Sequence, residues 1–355
     1  MDPFTHAVMG ASFAAGAAEL RRRARESAPD AAQESALVTR RFAALAGAVA
    51  GLAPDIDAFI QSGDDALLVL DYHRHFTHAL LFAPLGALIV AGLLWPLLRR
   101  RLGFGLLYLS CLLGYFAHPL LDACTSYGTH LWLPFSREPA AWNLVAVFDP
   151  AFTLLLALPL WLFLRRATSR AVALGLLLAA AYLGLSGIQQ QRAETALRGI
   201  AQSRGHQPAQ LSVKPTLANL MLWRGLYVHD GRVQADAFHL GLSLRHYPGE
   251  SLSLLAPDAT RRIAAGDARR LADIERFRVF SDGFAVEDAR RPGFVGDARY
   301  AMLPTRIAPI WGLQWAGPGA ATEFVSRHEF TPAMRGDFLA MLFGRELPGL
   351  APAGR

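Results

Sequence analysis

Residues 71–101 read DYHRHFTHALLFAPLGALIVAGLLWPLLRRR, and the three parts of that stretch decide the fold. The middle, 79–98, holds no charged residue. A helix of about 20 apolar residues crosses the roughly 30 Å hydrocarbon core of a bilayer. The closing triplet Arg99, Arg100, Arg101 marks the end that stays in the cytoplasm, because translocated loops are poor in Lys and Arg. The opening holds Asp71, His73, His75 and His78, ionisable groups gathered where the span meets the opposite surface.

Working outward, three more segments have the same character, at 102–121, 146–164 and 171–187. Two others, 4–20 and 42–60, are rich in Ala and Gly, which suits close helix packing inside a membrane bundle. Six spans would bring Arg21, Arg22, Arg23, Arg25, Arg40 and Arg41, then Arg99–Arg101, then Arg165, Arg166 and Arg170 to one side. That side is expected to be the cytoplasm, leaving the connections 61–78 and 122–145 outside.

Composition agrees. Of 355 residues, 53% are hydrophobic and only 18% charged, whereas soluble domains run near 25% charged. The net charge of +6 comes from arginines clustered between apolar runs, which is membrane topology and not a nucleic-acid face. Cys111 and Cys124 lie too far apart along one helix to form a disulfide. The start, MDPFTHAVMG, lacks the basic region of a signal peptide, so the N-terminus is expected to be retained.

Apolar residues thin out past 188, so residues 1–188 are expected to form an α-helical polytopic membrane bundle. Residues 189–355 are expected to form a soluble, extracytoplasmic mixed α/β or α+β domain. Extended character falls at 225–230, 232–246, 276–286, 297–303, 309–315 and 321–327, and helices are expected over 266–276 and 331–345. Asp-Gly pairs in VHDGR (228–232) and SDGF (281–284) signal hairpins.

Charged and imidazole groups inside membrane spans are costly and usually functional. Here they are Asp and His, which suit divalent metals. His6 opens the first segment, Asp55 and Asp57 close the second, and His73 and His78 precede the third. His118 and Asp122, at i and i+4 on one helix face, close the fourth, and Asp149 opens the fifth. Any one of them could be a helix cap. In the six-span arrangement all of them share the non-cytoplasmic face, which isolated caps have no reason to do. The candidate ligands are therefore His6, Asp55, Asp57, His73, His78, His118 and Asp122. Thr5, Thr77 and Arg74 would support them, and His130 would line the mouth beside an interfacial loop carrying Trp132 and Trp142.

These residues resemble the YdjM/YbcI group, described as membrane-bound metal-dependent hydrolases. The likeness covers roughly residues 1–164. The group's D-x-x-T-H is matched by Asp2, Thr5 and His6, and its P-D-x-D by Pro54, Asp55 and Asp57. Its H-R-G-x-T-H-S is matched by His73, Arg74, His75, Phe76, Thr77, His78 and Ala79, with His75 and Ala79 departing from the usual Gly and Ser. Its H-x-x-x-D-x-x-x-x-x-G-T is matched by His118, Asp122, Gly128 and Thr129, followed by P-F-S at 134–136 and D-P at 149–150.

The group is thought to be distantly similar to zinc-dependent phospholipase C. The resemblance therefore implies one or two Zn²⁺ ions, or another divalent metal, and hydrolysis of a phosphoester. Asp57 or Asp149 would be the base or a bridging ligand, and Arg74 or His73 would stabilise developing charge. A site at the outer face of the inner membrane would take a lipid or lipid-linked substrate. Two other readings are a metal or proton transporter and a non-catalytic module in which the metal is a clamp. The middles of spans three, five and six hold no ionisable residue, which disfavours transport. A peptidase of the H-E-x-x-H kind is disfavoured because that motif is absent.

Overall fold

The computed structural model describes residues 1–24, 32–166, 170–288, 291–317 and 319–347; Arg25 lies outside them. The chain divides into two units. The first comprises Met1–Ile60 and Tyr72–Gly187, and the second Gln61–Asp71 and Ile188–Arg355.

The first unit is helical. Helix α1 is Pro3–Arg23 and α2 is Ala32–Leu52, continued by a 3-10 turn, Ala53–Phe59. Helix α4 is Ala83–Leu98, α5 Phe104–Ala123 and α6 Pro150–Arg166; α7, Ala171–Ser203, begins here and runs on into the second unit, to which most of the short helix α3, Leu68–Tyr72, also belongs. Glycine sets how α1, α2 and α5 pack. A Cβ on Gly47 would strike the Gly10 carbonyl oxygen, and one on Gly114 would strike the Gly47 carbonyl. One turn further along, a Cβ on Gly51 would press on the His6 carbonyl oxygen. Three backbones thus meet along a line of glycines, the device that lets membrane helices approach closely.

The contacts also give the directions. Glu19 of α1 pairs with Arg40 of α2, while Gly10 meets Gly47. Hence α1 runs antiparallel to α2. Arg40 also lies over the Phe163 ring of α6, and Arg101 over Phe42 of α2. The arginine-rich ends of these helices therefore share one end of the bundle, and Asp and His occupy the other.

Among the described residues, three segments are long and apolar enough to cross a membrane: Leu37–Phe59, Phe104–Ala123 and Ala171–Ser203. Leu68–His78 with Ala83–Leu98, bent by 87°, makes a fourth if the pair is one span. The expectation of six spans is not supported. Helix α6 has 17 residues, at the short limit for a crossing, and that count includes an internal Pro159 and the closing Arg165 and Arg166. Helix α1 is made largely of Ala, Gly and Ser, with Glu19 and three arginines at its end, and nearly half of it is buried among its neighbours.

The second unit carries two four-stranded antiparallel sheets. The first is β1 (Gln210–Pro215), β2 (Leu222–His229), β3 (Arg232–Leu240) and β4 (Leu244–Ser253), in that order. The second is β5 (Ala285–Glu287), β6 (Val295–Asp297), β7 (Trp311–Gln314) and β8 (Glu323–Ser326). Helices α8 (Pro257–Ala264) and α9 (Ala268–Phe280) lie between the sheets in the chain, and α10 (Pro332–Leu342) follows them. VHDGR forms the β2–β3 hairpin, with Asp230 and Gly231 both at positive φ between the paired His229 and Arg232, as a two-residue turn requires.

Three expectations for this half are corrected. Residues 276–280 are helical, in α9, so SDGF joins a helix to a strand and is not a hairpin. The run 232–246 is broken by a turn into β3 and β4. Helix α7 continues past 187 to Ser203, and Ala193, Leu197 and Ala201 pack under Trp223, Tyr227 and Phe238.

Candidate metal centre

Four donor atoms converge at the end of the bundle away from the arginines. Asp55, His78, His118 and Asp122 each offer one, all within 4.8 Å of one another. His118 Nε2 stands 3.0 Å from His78 Nε2, 3.3 Å from Asp55 Oδ1 and 3.4 Å from Asp122 Oδ2. His78 Nε2 stands 3.5 Å from both carboxylate oxygens. Four ligands arranged tetrahedrally around an ion at about 2.0–2.1 Å would sit about 3.3 Å apart. The five spacings that involve an imidazole, 3.0–3.5 Å, bracket that value.

The histidine tautomers are set from outside the cluster. His118 Nδ1 lies 2.6 Å from the Gly51 carbonyl oxygen, an acceptor only, so Nδ1 donates and the Nε2 lone pair faces inward. Gly51 and Gly47 are one turn apart on α2, and His118 and Gly114 are one turn apart on α5. The glycine contact that brings the helices together therefore also sets this bond. His78 Nδ1 lies 3.0 Å from Asp57 Oδ2, so its Nε2 lone pair faces inward too. Carboxylate or carbonyl behind imidazole is the usual outer support of a metal-binding histidine.

Asp57 is well occupied. Oδ2 also accepts from Thr77 Oγ1 at 2.5 Å and from the Arg74 backbone N–H at 3.0 Å, and Oδ1 pairs with His73 Nδ1 at 3.0 Å. Asp55, Asp57 and His73 form a second group of possible ligands that shares Asp55 with the first. Arg74 is held at φ 64°, a left-handed conformation that is uphill for a non-glycine residue. Its N–H on Asp57 and its carbonyl, which accepts from the His130 N–H at 3.0 Å, fix it there. The guanidinium then reaches Asp122 Oδ2 at 3.0 Å and donates to Thr125 Oγ1 at 2.9 Å.

The residues fit a divalent cation. Asp122 Oδ2 is buried and paired with Arg74 Nε at 3.0 Å, and it also faces two imidazole lone pairs. Such an arrangement of acceptors is unfavourable unless protons or a cation lie between them. The His78, His118 and Asp122 side chains are at most 1% exposed, whereas Asp55 is 28% and His73 25% exposed, so access is from the Asp55 and His73 side.

The other residues singled out in the sequence have different places. His6 stacks on His118 with ring centroids 3.6 Å apart, and its Nε2 is 3.0 Å from Asp122 Oδ1, beside the Met1 amino nitrogen, which contacts the same oxygen. It abuts the cluster and is outside the converging four. Asp149 accepts from the Phe152 N–H at 3.1 Å and from Tyr182 Oη at 2.6 Å, capping α6. Thr5 joins Asp2 to Thr153, a cap and a bridge. His130 stacks edge-on to His75 with centroids 5.1 Å apart, and burial together with that neighbour lowers its pKa. Sequence reasoning missed Glu19, buried at the arginine end with Arg22, Arg23 and Arg40; the signal was an acid four residues ahead of an arginine in an Ala-rich helix.

Uncharacterized protein YfhP of Bacillus subtilis (strain 168) is 31% identical over 164 residues, 45% of this chain and 46% of that protein. The chain thus spans about half the length of that curated relative. No solved structure matches, and the expected likeness to zinc-dependent phospholipase C is not shown. The profile of the YdjM inner membrane protein family matches residues 1–193, more than half of the chain and every residue of the Asp/His cluster, and the chain belongs to that family.

Proposed function

We propose that the protein is a metal-dependent hydrolase of a phosphoester presented at the non-cytoplasmic face of the inner membrane. The observation that carries the reading is the pair of inward-facing Nε2 atoms of His78 and His118, closed into a four-donor set by Asp55 and Asp122. Two nitrogens and two oxygens within 4.8 Å of one another suit Zn²⁺. When bound, such an ion supplies Lewis acidity towards a phosphoryl oxygen and makes water acidic near neutrality.

The surrounding side chains supply the rest. His73, backed by Asp57 and partly exposed, is placed to take a proton from an attacking water and return it to the leaving oxygen. Asp57 holds His73, His78, Thr77 and the Arg74 backbone in one register. Arg74 balances the carboxylates and keeps positive charge beside the place where phosphoryl charge would develop. Asp55, shared by both donor groups, is the natural bridge should a second ion bind beside His73.

Orientation and substrate class rest on what surrounds the cluster. The arginine clusters lie at the opposite helix ends, and the positive-inside rule then supports an outside location for the cluster. Large apolar side chains are exposed at Phe4 of α1, at Ile56 and Phe59 of the 3-10 turn, and at Trp132 and Phe135 in the loop before α6. Exposed aromatic and aliphatic residues on segments that carry or flank a polar centre suit the headgroup level of a bilayer and an amphiphilic phosphoester.

The test is turnover by the zinc-loaded full-length protein in lipid nanodiscs, offered a soluble aryl phosphodiester and phospholipid phosphoesters. Release of product by the wild type and its loss in Asp122→Ala are expected. Absence of turnover on every phosphoester would overturn the hydrolase reading.

A further inference from the structure

Between the ligand-bearing stretches lies QSGDDALLVLD, residues 61–71, five consecutive apolar residues set among acids. Its contacts are with the second unit, of which it is a part. Leu67 is 1% exposed in a core with Leu255, Ile263, Ile274, Phe277 and Leu313. Arg276 of α9 grips both ends of the acidic run. Its Nη1 and Nη2 donate to the two Asp65 oxygens at 3.1 Å each, and Nη2 donates to Asp71 Oδ2 at 2.5 Å. Arg269 adds a bond to the Asp64 carbonyl. Burial works against the charge on Arg276, yet the Asp65 and Asp71 carboxylates overcome it and hold the guanidinium above its ordinary pKa.

The residues on either side of this strap belong to the first unit, Ile60 before it and Tyr72 after it. Asp57 lies four positions ahead of Gln61, and His73 two positions beyond Asp71. The strap is therefore the covalent link between the carboxylate that orients His78 and the histidine paired with that carboxylate. We propose that Arg276 is a positioning residue for the metal centre, by which the soluble unit holds the Asp57–His73 pair in register and sets the affinity of the site for its ion. The inference rests on reading the cluster as a metal centre. Its physical basis is preorganisation: a loop already held in one conformation loses less freedom when the groups at its ends close on a ligand.

The test measures zinc affinity of the full-length protein in detergent by competition with a chelating dye, together with amide hydrogen exchange. Arg276→Ala should weaken zinc binding about tenfold, near the low end of the 5–150-fold range of site-to-site couplings. It should also speed exchange over both 61–71 and 73–78. Arg276→Lys, which keeps one ion pair and loses the two-pronged one, should fall between. Arg262→Ala removes the Arg262–Glu287 pair elsewhere in the second unit and should change neither readout. If Arg276→Ala does not fold, Asp65→Asn with Asp71→Asn removes the same grip from the other side. Unchanged zinc affinity and unchanged exchange at 73–78, with the strap itself loosened, would overturn the proposal. Were wild type to bind no zinc, the metal reading would fall, and exchange at 73–78 would still decide whether Arg276 positions that segment.

Discussion

Replacing Asp57 by Asn changes one atom, and the structure says what that change does. Asp57 Oδ2 receives Thr77 Oγ1 at 2.5 Å and the Arg74 N–H at 3.0 Å, and faces His78 Nδ1 at 3.0 Å, while Oδ1 faces His73 Nδ1 at 3.0 Å. The amide retains a single oxygen. Placed at the Oδ2 position it still satisfies three donors, but bonds to a charged acceptor become bonds to a neutral one. The first kind contributes about 1.5–3 kcal/mol and the second about 0.5–1.5. The support behind His78 therefore weakens by about 1–1.5 kcal/mol, which is about tenfold in metal affinity. The amide NH₂ then faces His73 Nδ1, which must accept, so the His73 proton moves to Nε2 and that atom can no longer take one. Zinc-saturated turnover should fall further than affinity, by about 10²–10⁴-fold, the usual contribution of a general base. Dye competition for zinc in detergent and single-substrate kinetics read the two effects separately. Unchanged affinity would refute the orienting role. A loss well beyond about 100-fold, the ceiling for outer partners of a ligand, would make Asp57 a direct ligand, as its grouping with Asp55 and His73 allows.

Gly47→Ala places a Cβ against the Gly10 carbonyl and the Ala14 Cβ. It should lower the unfolding temperature in detergent by an amount corresponding to about 1–3 kcal/mol, and reduce zinc occupancy because the same helices carry His6 and His118. Trp132, exposed in the loop before α6, should be quenched by lipids brominated near the glycerol and spared by those brominated near the chain ends, as steady-state fluorescence in nanodiscs can show. The strap should be sensitive to acid. Burial raises the Asp65 pKa, but the Arg276 bond outweighs it and holds the carboxyl below its ordinary value. A carboxylate depressed on folding contributes its full stability above about pH 4 and loses it as pH falls through the folded-state value. Protection of amides 61–71, corrected for intrinsic rates, should therefore hold near about pH 6 and fall as the pH is taken below the ordinary carboxylate range.

Much of the site could be read from the chain because Asp and His in apolar surroundings have few structural uses. His78, His118, Asp55 and Asp122 are found together, each at the end of its helix that the alternation of spans and arginine clusters had assigned to one face. The separation of ligands from caps was not legible. Asp149 and Asp55 are both acids beside a proline at a helix end, and only the neighbours that fold beside them, Tyr182 in one case and two imidazoles in the other, set them apart. The count of spans failed at α1 and α6, where hydropathy averages over Ala and Gly that are buried by other helices, and over a segment ended early by Arg165 and Arg166. The strap was missed because Leu67–Leu70 is too short to signal a span or a core on its own. Its partner, Arg276, lies in a stretch that reads as extended through Phe277 and Val279 but folds as helix. The continuation of α7 was marked by the helix formers in QQQRAETALRGIAQS, which follow the apolar run without a break.

The most direct measurement is the zinc content of the detergent-purified full-length protein, determined by inductively coupled plasma mass spectrometry after metal loading and desalting, for wild type, His118→Ala and Asp122→Ala. Near-stoichiometric zinc in the wild type and a sharp loss in both variants, with helical content retained, is the expected result. Equal, substoichiometric zinc in all three would contradict it.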